Sequence, residues 1–100
     1  MADTDDLGEQ PWSADVVRRL IRQLLEEGAV LWTDHAAEEM QKDKLDMLDC
    51  TNVARGGAVA PGEWENGAWR YRVSTARICV VIEFPDSTEM VIVTAWRVRR

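Results

Sequence analysis

The sequence predicts an α+β domain in which three helices pack on one side of an antiparallel β-meander of three to four strands. Three observations carry this expectation. Residues Ile78 to Phe84 read ICVVIEF, five apolar residues before the first charge, whereas a strand with one face in water would alternate. The segments on either side, WRYRVST from Trp69 and MVIVTAWRV from Met90, are rich in β-formers. They lie only a few residues away, which permits antiparallel pairing and leaves no room for a helical crossover. Upstream, Val16, Val17, Leu20, Ile21, Leu24 and Leu25 recur at the spacing of one helix face. The ICVVIEF run is therefore expected to be the central strand, covered on both faces.

The remaining elements follow in chain order. Residues 1–11 carry Asp3, Asp5, Asp6 and Glu9 with little to bury and are expected to form a disordered acidic tail, leaving 12–100 as a single domain. Ser13 suits an N-cap, with Trp12 and Val17 spaced as a hydrophobic staple, and Gly28 suits the C-cap. Ala29 to Trp32 is too short for a helix and reads as a short edge strand or extended segment. Thr33 or Asp34 caps a second helix holding His35, Ala36 and Met40. Asp46 caps a third, with Asp49 at the capping-box position, Leu48 and Val53 facing inward, and Gly56-Gly57 ending it. Asn66-Gly67 is a strong type I′ hairpin signal that sets Trp64 opposite Trp69 and Glu65 opposite Ala68. Trp69, Tyr71 and Val73 then share one face of the strand, and Arg70, Arg72 and Ser74 the other.

One hundred residues support one hydrophobic core and no second domain. Five Trp call for packing and for partners to their N–H groups, which places several of them at a sheet–helix junction or a partner surface. No apolar run approaches membrane-spanning length and the acidic N-terminus lacks a hydrophobic core region, so the expectation is a cytoplasmic protein without a signal peptide or membrane contact. Cys50 and Cys79 lack metal-ligand spacing and read as buried thiols. The net charge of −6 is unevenly spread: residues 1–50 carry five Lys/Arg and thirteen Asp/Glu, residues 51–100 seven and five. All seven cations of the second half are Arg, and five of them lie on or beside two strands. That is a local basic patch, suited to bidentate phosphate contact, on a chain too acidic for long-range capture of nucleic acid.

The sequence has no Gly-rich phosphate loop, Cys/His metal cluster, calcium loop or nucleophile elbow, so neither a metal nor a cofactor is expected. Metal-independent RNA cleavage needs a base, an acid and cations for the charge that grows on the phosphate. His35, the only His, is the residue type suited to acid or base work and starts a helix where an anion is welcome. Arg70 and Arg72 suit phosphate charge, and Tyr71 suits proton donation or base stacking, with Lys42 and Lys44 as spare cations. Each has a structural reading beside the functional one. His35 suits a cap or packing residue, and Arg70 and Arg72 the solvated face of an edge hairpin. Trp69 and Tyr71 at period two suit core positions, while Arg99 and Arg100 suit a solvated terminus.

The order of elements is helix, short extended segment, helix beginning with His-Ala, helix, and a sheet whose last strand reads VIVTAWR. This resembles the small bacterial toxin-like domains related to MqsR, within the wider RelE-like ribonuclease fold, and a neighbouring family of domains with a His-Ala-x-x-x-Met helix start. Asp34-His35-Ala36 with Met40, Leu45, the Gly67 hairpin leading to Arg70-Tyr71, and Val91 to Arg97 carry the likeness, over about Ser13 to Arg97. Two features depart from it: Glu39 stands where a basic residue is usual, and the chain is acidic where MqsR-like toxins are generally basic. The resemblance implies the toxin of a toxin–antitoxin pair, a metal-independent endoribonuclease (mRNA interferase) that cuts single-stranded mRNA and is restrained by a cognate antitoxin protein. His35, Arg70, Tyr71 and Arg97 would be catalytic, with Arg72, Lys44 and Trp69 on the RNA. The alternative is a non-catalytic protein-binding module of the same fold, using its acidic helices or its Trp-rich sheet. The catalytic expectation requires His35 and the arginines to meet at one water-accessible hollow.

Overall fold

A computed structural model describes residues 7–99; Met1 to Asp6 of the expected tail, and Arg100, lie outside the described residues. The chain runs α1 (Ala14–Glu27), β1 (Val30–Trp32), α2 (Asp34–Lys42), α3 (Met47–Gly56), β2 (Ala58–Val59), β3 (Glu63–Glu65), β4 (Ala68–Ser74), β5 (Ile78–Asp86) and β6 (Glu89–Arg97). The α+β class and the three helices agree with the sequence reading. The sheet does not: among the described residues it has six strands, in the order β1-β6-β5-β4-β2 with β3 also on β4, and it is mixed. β4, β5 and β6 form the expected antiparallel meander, but β1 pairs parallel to β6, with Leu31 opposite Val91.

Local signals set the helix ends. Ser13 accepts from the Val16 N–H and Gly28 closes α1 at φ 71, a backbone conformation that Gly adopts without a Cβ clash. Thr33 caps α2 by accepting from Ala36, and its hydroxyl also donates to the Val93 carbonyl at 3.1 Å, pinning the helix start to β6. The Asp46–Asp49 capping box of α3 is complete. In the β3–β4 hairpin Asn66 and Gly67 both have positive φ, and Trp64 meets Trp69 edge-on at 5.4 Å.

The core lies between the helices and one face of the sheet. Val17, Leu20, Ile21 and Leu24 of α1 join Ala36 and Met40 of α2, Cys50 and Val53 of α3, and Tyr71, Val73, Val80, Ile82, Phe84, Met90, Ile92 and Ala95 of the strands. Each large aliphatic side chain removed from water here contributes about 1.5–3 kcal/mol. Leu48, expected inside, is 66% exposed, because α3 has a short apolar stripe that Cys50, Val53 and Ala54 complete without it.

One further expectation is met in an unforeseen way and another needs correcting. β5 is central and buried on both faces, as read, although no secondary-structure element among the described residues covers its second face. Cys79 and Val81 on that face are only 6% exposed because long neighbouring side chains lean over them. The expected tail is also packed from Leu7 onward. The Gln10 side-chain amide donates to the Phe84 carbonyl and its Oε1 accepts from the Tyr71 hydroxyl, which in turn accepts from the Trp12 N–H at 2.9 Å. Trp12 therefore packs on Phe84, ring centroids 5.5 Å apart.

Candidate functional site

Strand alternation and register determine which side chains meet on the uncovered face. Three rows cross it: Ser74, Cys79 and Trp96; Arg72, Val81 and Thr94; then Arg70, Glu83 and Val91. A β-bulge on β6 inserts Val93 between Ile92 and Thr94, which keeps Thr94 and Trp96 on this face and Ala95 in the core. Val81 and Thr94 are short and the side chains around them are long. The result is an open groove of about 210 Å³ floored by Val81 and Thr94, walled by Trp96 on one side and by Arg70, Arg72, Glu63 and Glu65 on the other.

The groove is not a basic patch. Arg70 donates through Nε to Glu83 at 2.6 Å and lies 3.5 Å from Glu65. Arg72 lies 3.5 Å from Glu63, with its guanidinium carbon 5.9 Å from the Trp96 ring centre. Two arginines thus face three glutamates: the guanidinium of Arg70 is held closely by Glu83, while that of Arg72 is only loosely shared between Glu63 and Trp96.

The other sequence candidates lie elsewhere. Tyr71 and Trp69 point to the helix side, where Tyr71 is fully buried and burial pushes its phenol up from the usual range. Its hydroxyl is engaged by Gln10 and Trp12. Arg97 closes the C-terminal end of α2: its Nε donates to the Asp43 carbonyl at 2.8 Å and its Nη2 to the Lys44 carbonyl at 3.2 Å. Lys44 occupies the left-handed turn there, φ 56, with its side chain exposed. His35 is exposed at the opposite end of α2, and eight residues of helix make about 12 Å. β5 separates the strand that α2 packs on from the strand bearing Arg70 and Arg72, two strand spacings or about 10 Å. The structure therefore brings Arg70 and Arg72 together, and Arg97 with Lys44, but gathers neither pair with His35 or Tyr71.

Glu63, Glu65, Glu83, Thr94 and Trp96 were missed as site residues. Glu83 had a signal, being the one charge in the ICVVIEF run, and the hairpin and meander registers place it opposite Arg70. Both cysteines are buried and free, and burial pushes Cys50 up to about 11 and Cys79 upward, which makes them poor nucleophiles. Among the described residues no group of three His, Cys, Asp or Glu is placed to hold a metal ion, and no helix is long and apolar enough to cross a membrane.

Asp43 locks the end of β6. Its carboxylate accepts from the Arg97 backbone N–H at 2.7 Å and from Arg99 at 2.8 Å. The first of these, opposed by partial burial and reinforced by the Arg99 charge, holds its carboxyl below the ordinary Asp value. A folded-state value below the unfolded one gives stability that is present above the unfolded value and lost as pH falls through the folded one. Asp43→Ala is therefore expected to melt at a lower temperature than wild type at neutral pH. The gap should narrow as acid protonates Asp43 in the wild type, which thermal melts across an acid series would measure. Comparison of the chain with protein-family models, with curated proteins and with solved structures gives no match.

Proposed function

We propose that this chain is a non-catalytic binding module that recognises a protein partner on the uncovered face of its sheet. One observation carries the reading: a groove floored by Val81 and Thr94 and walled by Trp96 and four charged side chains lies on a face that no described element covers. An aromatic anchor, a small apolar floor and a polar rim are the parts of a recognition surface. The dispersal of His35, Tyr71, Arg97 and the hairpin arginines supports binding over RNA cleavage, since general acid–base chemistry needs its groups within hydrogen-bond reach of one substrate. Glu39, at the position where the resembling domains carry a basic residue, pairs with Lys42 at 3.0 Å. An MqsR- or RelE-like scaffold is compatible with this role, because a scaffold constrains function far less than a site does.

Two measurements test the reading. Expressed alone, the chain should leave growth unaffected, and His35→Ala should behave as wild type; growth arrest relieved by His35→Ala would restore the nuclease. The tagged chain should capture a stoichiometric protein partner, and Thr94→Trp, which fills the groove floor without changing its charge, should abolish that capture. A double substitution on the helical side, Met47→Asp with Leu48→Asp, should leave it intact. Capture that survives Thr94→Trp but fails with the helical variant would move the interface to the helices.

A further inference from the structure

The groove's charges and dimensions narrow the chemistry of the partner. Arg70 and Glu83 form a closed pair, with side chains only 23% and 21% exposed and 2.6 Å between them. The remaining pairs are loose. Glu63 and Glu65 are 60% and 56% exposed, and each is only 3.5 Å from an arginine that also has another contact. Arg70 is already held by Glu83, and Arg72 leans over Trp96. The two rim carboxylates therefore retain most of their capacity to accept hydrogen bonds, and the groove itself sets three glutamates against two arginines. An incoming anion would meet three glutamates, with Arg72 the one arginine of the groove not closely paired.

Size points the same way. The groove of about 210 Å³ holds the equivalent of about seven waters, which is room for one long side chain.

We propose, building on the protein-binding reading, that the groove receives a Lys or Arg side chain from an extended partner segment. Its aliphatic stem lies over Val81 and Thr94 against Trp96, and its cationic head sits between Glu63 and Glu65. A long basic side chain suits this place because its stem is apolar while its head needs carboxylates. The Trp96 ring offers the stem an apolar wall.

The test is calorimetric titration of the full chain with acetyl-Val-Arg-Val-Arg-Val-amide, the corresponding Glu peptide, and a ten-nucleotide oligouridylate. The Arg peptide should bind, and its affinity should fall several-fold when NaCl rises from about 50 to about 500 mM. Glu63→Gln with Glu65→Gln should weaken it by about tenfold, as should Trp96→Ala, while the Glu peptide and the oligonucleotide give no heat. Failure of the wild-type chain to bind the Arg peptide would overturn the proposal, as would unchanged binding by the double variant or equal binding of the Glu peptide. Oligonucleotide binding lost in Arg70→Gln with Arg72→Gln would replace it with a nucleic-acid site. The two levels separate cleanly. If Thr94→Trp abolishes capture of the natural partner and the double Glu variant does not weaken it, the surface stands and the cationic occupant falls.

Discussion

Replacing Tyr71 with alanine is expected to destabilise the fold by about 3–5 kcal/mol, and urea unfolding would measure it. The ring is fully buried and meets Phe84 edge-on with centroids 5.6 Å apart. Its removal opens a cavity where β4 and β5 meet the N-terminal segment. The hydroxyl adds a second loss, since it joins Gln10 and Trp12 to the sheet through two hydrogen bonds. Tyr71→Phe separates the two contributions: it keeps the packing, leaves the Trp12 N–H and the Gln10 oxygen without this partner, and should cost about 1–3 kcal/mol. Amide exchange in residues 8–12 should rise in Tyr71→Phe while that of β5 stays slow. Near-neutral stability in both variants would mean that Tyr71 is free of these contacts and available for chemistry.

The same residue shows what the sequence could and could not reveal. Period-two alternation correctly put Tyr71 on one face and Arg70 with Arg72 on the other, and this split is already enough to stop all three acting at one point. The hairpin, the caps and the meander were legible because each depends on residues a few positions apart, as with Asn66-Gly67 or the Asp46–Asp49 box. Nonlocal pairings were not. Nothing in Val30 to Trp32 names Met90 to Ile92 as its parallel partner. Nothing beside Arg97 announces Asp43, 54 positions earlier, so a cation at a strand end reads by resemblance as a catalytic residue, with no sign of the helix end that its guanidinium closes.

The second face of β5 was legible as buried, but what buries it was not. Five apolar residues in a row implied cover on both faces, and the structure supplies it by placing Cys79 and Val81 under the side chains of Trp96, Arg72 and their neighbours. Arginine stems and indole rings can shield a strand from water as a helix does. They also leave a surface with relief, and that relief is the groove on which the binding proposal rests.

Gly56 and Gly57 are adjacent, and alanine is expected to have opposite effects at the two positions. Gly57 is buried where α3 meets β4, with its N–H donating to the Val53 carbonyl at 2.7 Å. A Cβ there would sit 2.7 Å from the Val53 oxygen and 2.9 Å from the Ser74 oxygen. Both obstacles are backbone, so no side-chain rotation relieves them, and α3 must shift away from the sheet edge. Overpacking of this kind costs about 1–3 kcal/mol and sometimes more, which lowers the melting temperature of a chain this size by about 4–8 °C per kcal/mol. Gly56 has nothing within 4 Å of its Cβ position and no positive φ. Alanine at that last helical position should instead stabilise by about 0.4–1 kcal/mol by restricting the unfolded chain. Melting curves of the two single variants decide the matter: equal effects would mean that α3 does not end against Ser74, and the close approach that holds the helical layer to this edge of the sheet would have to be redrawn.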